Sequence, residues 1–188
     1  HDLEVVDVSP QAVYGGELRY VLGLRGAHPQ AGSVAEWLDR ERAAGVSTPE
    51  TYRQFAARAA TIRDALTRLV ARIVSDGHRI AGYGATAKSS TIINYCGLGP
   101  EQIEYIADVT PGKQGTLTPG AHIPVRPTEF FRSHYPDYAV LFAWNHEKEI
   151  LAKETAFESA GGRWITYVPD VMVRPRASDA DAGRHPAV

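Results

Sequence analysis

From Gly77 onward the chain alternates β-rich and helix-patterned segments, and this alternation narrows the possible folds more than any other feature. Strand HRIAGY (78–83) runs into the glycine-bearing turn GATAKSS and a helix over 87–96. Strand IEYIAD (103–108) precedes a long loop, DVTPGKQGTLTPGAHIPV; a short helix over 128–133, strand DYAVLFAW (137–144), a helix over 146–160 and strand RWITYV (163–168) complete the series. Right-handed crossovers with helices on both faces fold such a series into an α/β unit, a compact, Rossmann-like parallel sheet of about four strands. Pro169 closes it. The tail from Arg176 (RASDADAGRHPAV) carries too few apolar residues to order itself.

Upstream, LEVVDV (3–8) and ELRYVLGL (17–24) are two strand patterns joined by SPQAVYGG. An isolated hairpin is marginal in water, so this pair is expected to belong to a sheet whose other strands lie before His1. The sole methionine is Met172, which agrees with a chain that is a piece or a processed product of something longer. A linker, Gly26–Gly32, leads to a short helix capped by Ser33 and reaching about Ala44. Ser47-Thr48-Pro49-Glu50 has capping-box spacing, and helix pattern continues without Gly or Pro to Asp76. Along it Tyr52, Phe55, Ala59, Ile62, Leu66, Leu69 and Ile73 form an apolar stripe. The stripe packs on the chain's own sheet or short helix, or it forms a seam against another domain or a second copy, making a homo-oligomer. The expected organisation is 1–32 as the end of an upstream domain plus linker, 33–76 as a helical connection, 77–175 as the Rossmann-like domain and 176–188 as a disordered tail.

Composition excludes several classes. Twenty basic against 22 acidic side chains give a net charge of -2, so no global field draws in nucleic acid or an anionic membrane. Any anion site must be local. Cys96 is the single cysteine, which forbids an internal disulfide and a cysteine-rich zinc site and makes a reducing cytoplasm the expected setting. No apolar run nears the ~20 residues that span a bilayer.

In a doubly wound sheet ligands bind beyond the carboxyl ends of the strands. Three segments converge there. In Gly82-Tyr83-Gly84-Ala85-Thr86-Ala87-Lys88, the glycines permit a tight turn, the helix start presents free N–H groups, and Lys88 adds a cation, which together make a phosphate cradle. The same glycines with Ala87 satisfy GxGxx(G/A), and Asp108 stands near the end of the next strand, where an acid would bind the ribose of NAD(P). An oxidoreductase domain is therefore one reading, and a purely structural turn another. The P-loop reading fails, because Ala87 precedes the lysine where that motif requires glycine. The loop 108–125 brings Lys113 and His122, the latter either a weak candidate base or a hydrogen-bonded structural residue. Ala143-Trp144-Asn145-His146 ends a strand and opens a helix, with Asn145 placed as a cap or as a crevice residue.

Taken in order, GYGATAKSSTIINYCGL, DVTPGKQGTLTPGAHIPV, LFAWNHEKEI and GGRWITYVP resemble the C-terminal domain of the S-adenosylmethionine-dependent sugar C-methyltransferases of bacterial deoxysugar pathways, over residues 77–170. Val13-Tyr14-Gly15-Gly16-Glu17-Leu18-Arg19 is similar to a His-Gly-Gly-Ser-Leu-Arg string that closes the family's central domain, with Tyr14 for histidine and Glu17 for serine. The resemblance implies three parts in the whole enzyme: a zinc domain, a domain for the methionine cofactor, and this C-terminal domain, which helps hold a nucleoside-diphosphate-linked 4-keto sugar. It implies proton removal alpha to the ketone by residues upstream of this chain, followed by attack of the resulting enolate on the sulfonium methyl. It also implies Gly82, Tyr83, Gly84, Ala85, Lys88, Asp108, Lys113, His122 and Asn145 as substrate-binding residues, with nucleoside diphosphate binding that collapses in Lys88→Ala.

Overall fold

The computed structural model describes residues 1–13 and 16–174; the tail from Arg176 and Tyr14 lie outside the described residues. The chain divides into two compact units, one spanning His1–Ala59 and one beginning at Ala60.

In the first unit β1 (Leu3–Gln11) and β2 (Glu17–Leu24) form an antiparallel hairpin, with a register irregularity between Val5 and Asp7. Helix α1 (Gly32–Ala43) packs on β1. Ser33 is not its cap. Ala31 holds that position without a side-chain bond, while the Ser33 hydroxyl donates to Asp7 Oδ1 at 2.6 Å and accepts from the Val8 N–H at 3.3 Å. An exposed helix end finds water for its N–H groups, whereas buried Val8 needs a protein partner for its own.

Helix α2 (Pro49–Ser75) begins one residue past Thr48, whose hydroxyl donates to Gly45 O at 2.8 Å. The capping box does not form, because the Glu50 carboxylate is engaged by Arg53 and Gln54. Beyond Ala60 the helix buries Leu66, Val70 and Ile73, with Ile62 and Leu69 packed beside them, so this part of the stripe lies on the chain's own sheet. Tyr52 and Phe55, in the first unit, are 57% and 63% exposed. Val70 was not part of the expected stripe, yet the spacing of four and then three from Leu66 puts it on the same face.

The second unit is built on a six-stranded sheet in the order β5-β4-β3-β6-β7-β8. Strands β3 (Ile80–Tyr83), β4 (Ile106–Ala107), β5 (Val125–Arg126), β6 (Tyr138–Leu141) and β7 (Arg163–Thr166) are parallel; β8 (Met172–Val173) adds antiparallel to β7. The expected α/β fold class is the observed one, including the N-terminal hairpin and the long helix. Strand β5 begins at the end of the segment that reads as a long loop, and β8 lies past Pro169, where the series was expected to close. Two residues are too few to display a period.

Side-chain alternation sorts the core into two layers. Ile80, Val140, Phe142 and Ile165 face α2 and α3 (Ala87–Cys96), with Ile93 and Cys96. Ala81, Tyr83, Ala139, Leu141 and Trp164 face the other side, against Phe131 of α4 (Thr128–Ser133) and Phe157 of α6 (Thr155–Ser159). The period of two along each parallel strand thus gives both faces an apolar set, as a sheet covered on both sides requires.

The helix expected over 146–160 is broken. A 3-10 turn (Trp144–His146) leads into α5 (Glu147–Lys153), and Glu154 departs from helical geometry at φ -106 and ψ 34 before α6. Glu154 is 1% exposed. Its carboxylate accepts from the Tyr83 hydroxyl at 2.8 Å and from Arg132 at 2.7 Å, so the helix gives way where a buried charge must turn inward to its partners.

Candidate functional site

The strand order places a switch point between β3 and β6, since the chain moves outward from β3 to β4 and β5, then crosses back to β6 and on to β7. Loops leaving β3 and β6 diverge there and open a crevice at the carboxyl ends.

Two clefts lie at this edge. A switch-point cleft of about 400 Å³ is lined by Tyr83, Gly84 and Thr86 after β3, by Asp108, Val109 and Thr110 after β4, and by His146, Glu149, Ile150 and Lys153 after β6. An outer cleft of about 330 Å³ lies between the first turn of α3 (Thr86, Ala87, Ser89, Ser90) and the loop before β5 (Thr116, Leu117, Thr118, Pro119). Thr86 and Lys113 line both.

The turn between the clefts is held by an acid and a base acting on one residue. Asp108, 5% exposed, accepts from the Ala85 N–H at 2.7 Å through Oδ2 and from the Thr110 N–H at 2.8 Å through Oδ1. The Lys113 ammonium donates to Ala85 O at 2.7 Å and stands 3.6 Å from Asp108 Oδ2. Both polar ends of the Ala85 backbone are therefore clasped. Thr86 caps α3, accepting from the Ser89 N–H at 3.1 Å. With the capped N–H engaged, the rest of the first turn of α3 adjoins the outer cleft, a setting that favours anionic groups.

The expected site residues divide by geometry. Tyr83, Gly84, Asp108 and Lys113 meet in the switch-point cleft, and Ala85 and Lys113 in the outer one. The Tyr83 hydroxyl is turned to Glu154; burial, and then that hydrogen bond, push its phenol well above the usual tyrosine range. Gly82 serves packing, because a Cβ there would lie 2.6 Å from the Phe142 ring. Lys88 holds its ammonium 4.6 Å from the centroid of the Trp144 ring and lines neither cleft. Asn145 sits inside the 3-10 turn and is not the cap of α5, which starts two residues later. His122 is exposed at φ 58, in a turn where its N–H donates to Thr118 O, outside the lining of both clefts.

Lys153, Glu149 and Thr110 escaped the sequence reading. A signal for the first two was present: His146, Glu149, Ile150 and Lys153 follow three-four-seven spacing, which puts them on one helix face. Arg132 and Glu154 carried no such signal, since their pairing joins segments 22 residues apart.

A ribose diol is held by a carboxylate whose oxygens face the ligand, and both oxygens of Asp108 are engaged by backbone N–H groups. Each oxygen keeps a second lone pair, so the Asp108 carboxylate, which lines the switch-point cleft, can also accept from a ligand hydroxyl. Among the described residues no group of three or more His, Cys, Asp or Glu could hold a metal ion, and no helix is long and apolar enough to cross a membrane.

A doubly wound sheet with two clefts at its switch point defines an α/β domain of the Rossmann-like class. This chain belongs to the C-methyltransferase C-terminal domain family, whose match covers residues 12–169. It is 39% identical to the C-methyltransferase NovU of Streptomyces niveus over 174 residues, which is 92% of this chain and 41% of that protein. The chain thus spans about two fifths of the length of that relative.

Proposed function

We propose that this chain is the part of a cytoplasmic C-methyltransferase that holds the substrate, a 4-keto deoxysugar carried on a nucleoside diphosphate. The methyl donor, S-adenosylmethionine, binds outside these residues. The observation that supports this reading is the crevice at the switch point, with the Lys113 ammonium between its two clefts and the first turn of α3 beside it. A diphosphate needs such a local cation on a surface of small net charge.

Calorimetric titration of thymidine diphosphate into the 188-residue chain tests it. One saturable site is expected, weakened roughly tenfold or more in Lys113→Met, a loss of about 1.4 kcal/mol or more. Lys88→Ala is expected to lose less than about threefold, since its ammonium lies over Trp144 and lines neither cleft. Reduced nicotinamide dinucleotide is expected to show no fluorescence enhancement. Binding of that dinucleotide in place of thymidine diphosphate would overturn the proposal.

A further inference from the structure

We infer that the two clefts form one bipartite groove with Lys113 at its waist: the outer cleft takes the nucleobase, the switch-point cleft takes the sugar, and the diphosphate crosses between them. The inference rests on the nucleotide-sugar reading above and adds to it a division of labour between two sets of residues.

Continuity is the first argument. Thr86 and Lys113 line both clefts, so one ligand can occupy both without leaving the protein surface. Of the three ammonium protons of Lys113, one is directed to Ala85 O and the pairing with Asp108 is the looser 3.6 Å contact. With its side chain 43% exposed, the ammonium can also meet a ligand anion at the junction.

The contrast between the two linings is the second argument. Apart from Lys113 the outer cleft has no charged side chain: it offers the exposed apolar surfaces of Leu117 and Pro119 with the hydroxyl-bearing Ser90 and Thr116. A planar base has two apolar faces and a hydrogen-bonding edge, which this lining matches. The switch-point cleft instead gathers His146, from the turn before α5, with Glu149 and Lys153 of α5, and such groups hydrogen-bond the hydroxyls of a carbohydrate. Volumes of about 330 and 400 Å³ are each sufficient for one ring system, and the two together accommodate two ring systems joined by a diphosphate.

Val109 and Leu117 allow each cleft to be blocked alone. Val109 lines only the switch-point cleft and is 59% exposed; Leu117 lines only the outer cleft and is 57% exposed, so tryptophan at either position fills a cleft without entering the core. Calorimetry would use thymidine diphosphate and thymidine diphosphate glucose as probes, with thermal melting to verify each fold. Val109→Trp is expected to weaken the sugar nucleotide at least tenfold and to leave thymidine diphosphate unchanged. Leu117→Trp is expected to weaken both at least tenfold. If the wild-type chain binds and neither variant changes affinity, or the two patterns are exchanged, the division is wrong while the nucleotide-sugar reading stands. Two equivalents of thymidine diphosphate per chain would also overturn a single groove. If the wild-type chain binds neither probe, the nucleotide-sugar reading fails and this inference falls with it.

Discussion

Arg132→Met is expected to destabilise the α/β unit by about 3 kcal/mol, read as a fall in the urea midpoint without a change in slope. The loss comes from the partner left behind. Glu154 is 1% exposed and takes hydrogen bonds from Arg132 through both oxygens, at 2.7 and 3.2 Å. Without the guanidinium its charge would keep only the Tyr83 hydroxyl. Removing one member of a buried pair costs about 3–5 kcal/mol, and the 38% exposure of the Arg132 side chain favours the lower end. Adding Glu154→Gln to Arg132→Met is expected to restore at least half of the loss, because a neutral amide still accepts from Tyr83 and no charge stays buried. A single variant indistinguishable from wild type would mean that the ion pair is solvated and that the break between α5 and α6 has another cause.

Gly84→Ala is expected to cost about 2–4 kcal/mol and to abolish ligand binding at the crevice. Two effects add. At φ +93 the backbone is in a region that side chains avoid, worth about 1–2 kcal/mol, and the new methyl would lie 2.6 Å from Ala143 Cβ. Ala143 lies two residues past the end of β6, so the methyl pushes apart the two chain segments that leave β3 and β6 at the switch point. Gly97→Ala is the control: φ is +63 there but nothing lies within 4 Å, and only the backbone cost, about 1 kcal/mol, is expected. Equal losses in the two variants would remove the steric part of the argument.

These two sites show where sequence reasoning succeeds and where it stops. The alternation of segments, the turn after β3 and the helix that follows it were legible because each is local: a period, or a pair of glycines ahead of a helix pattern; the Thr86 cap came from the structure. Glu154 was not. In sequence it is one more charged residue in a helix-forming stretch, and only the distant Tyr83 and Arg132 make it a helix breaker. Asp108 was legible as an acid at a strand end, but its role was not, because the competitors for its oxygens are backbone N–H groups that every sequence has. Lys88 and Lys113 both stood out as cations near the turn; their separation into one above Trp144 and one between two clefts is set by loop geometry. The family match over residues 12–169 agrees with the resemblance carried by the strings after Gly77, and the match to NovU identifies the chemistry as C-methyl transfer in that longer protein.

The central claim is that a nucleotide-linked sugar lies across the switch point of this sheet. Amide chemical-shift mapping of the labelled chain with thymidine diphosphate glucose tests it most directly. Saturable shifts are expected, centred on Gly84, Ala85, Thr110, Lys113 and Leu117 and reaching Lys153 with the sugar nucleotide and not with thymidine diphosphate alone. Shifts confined to residues 1–59, or no shifts at saturating ligand, would contradict it.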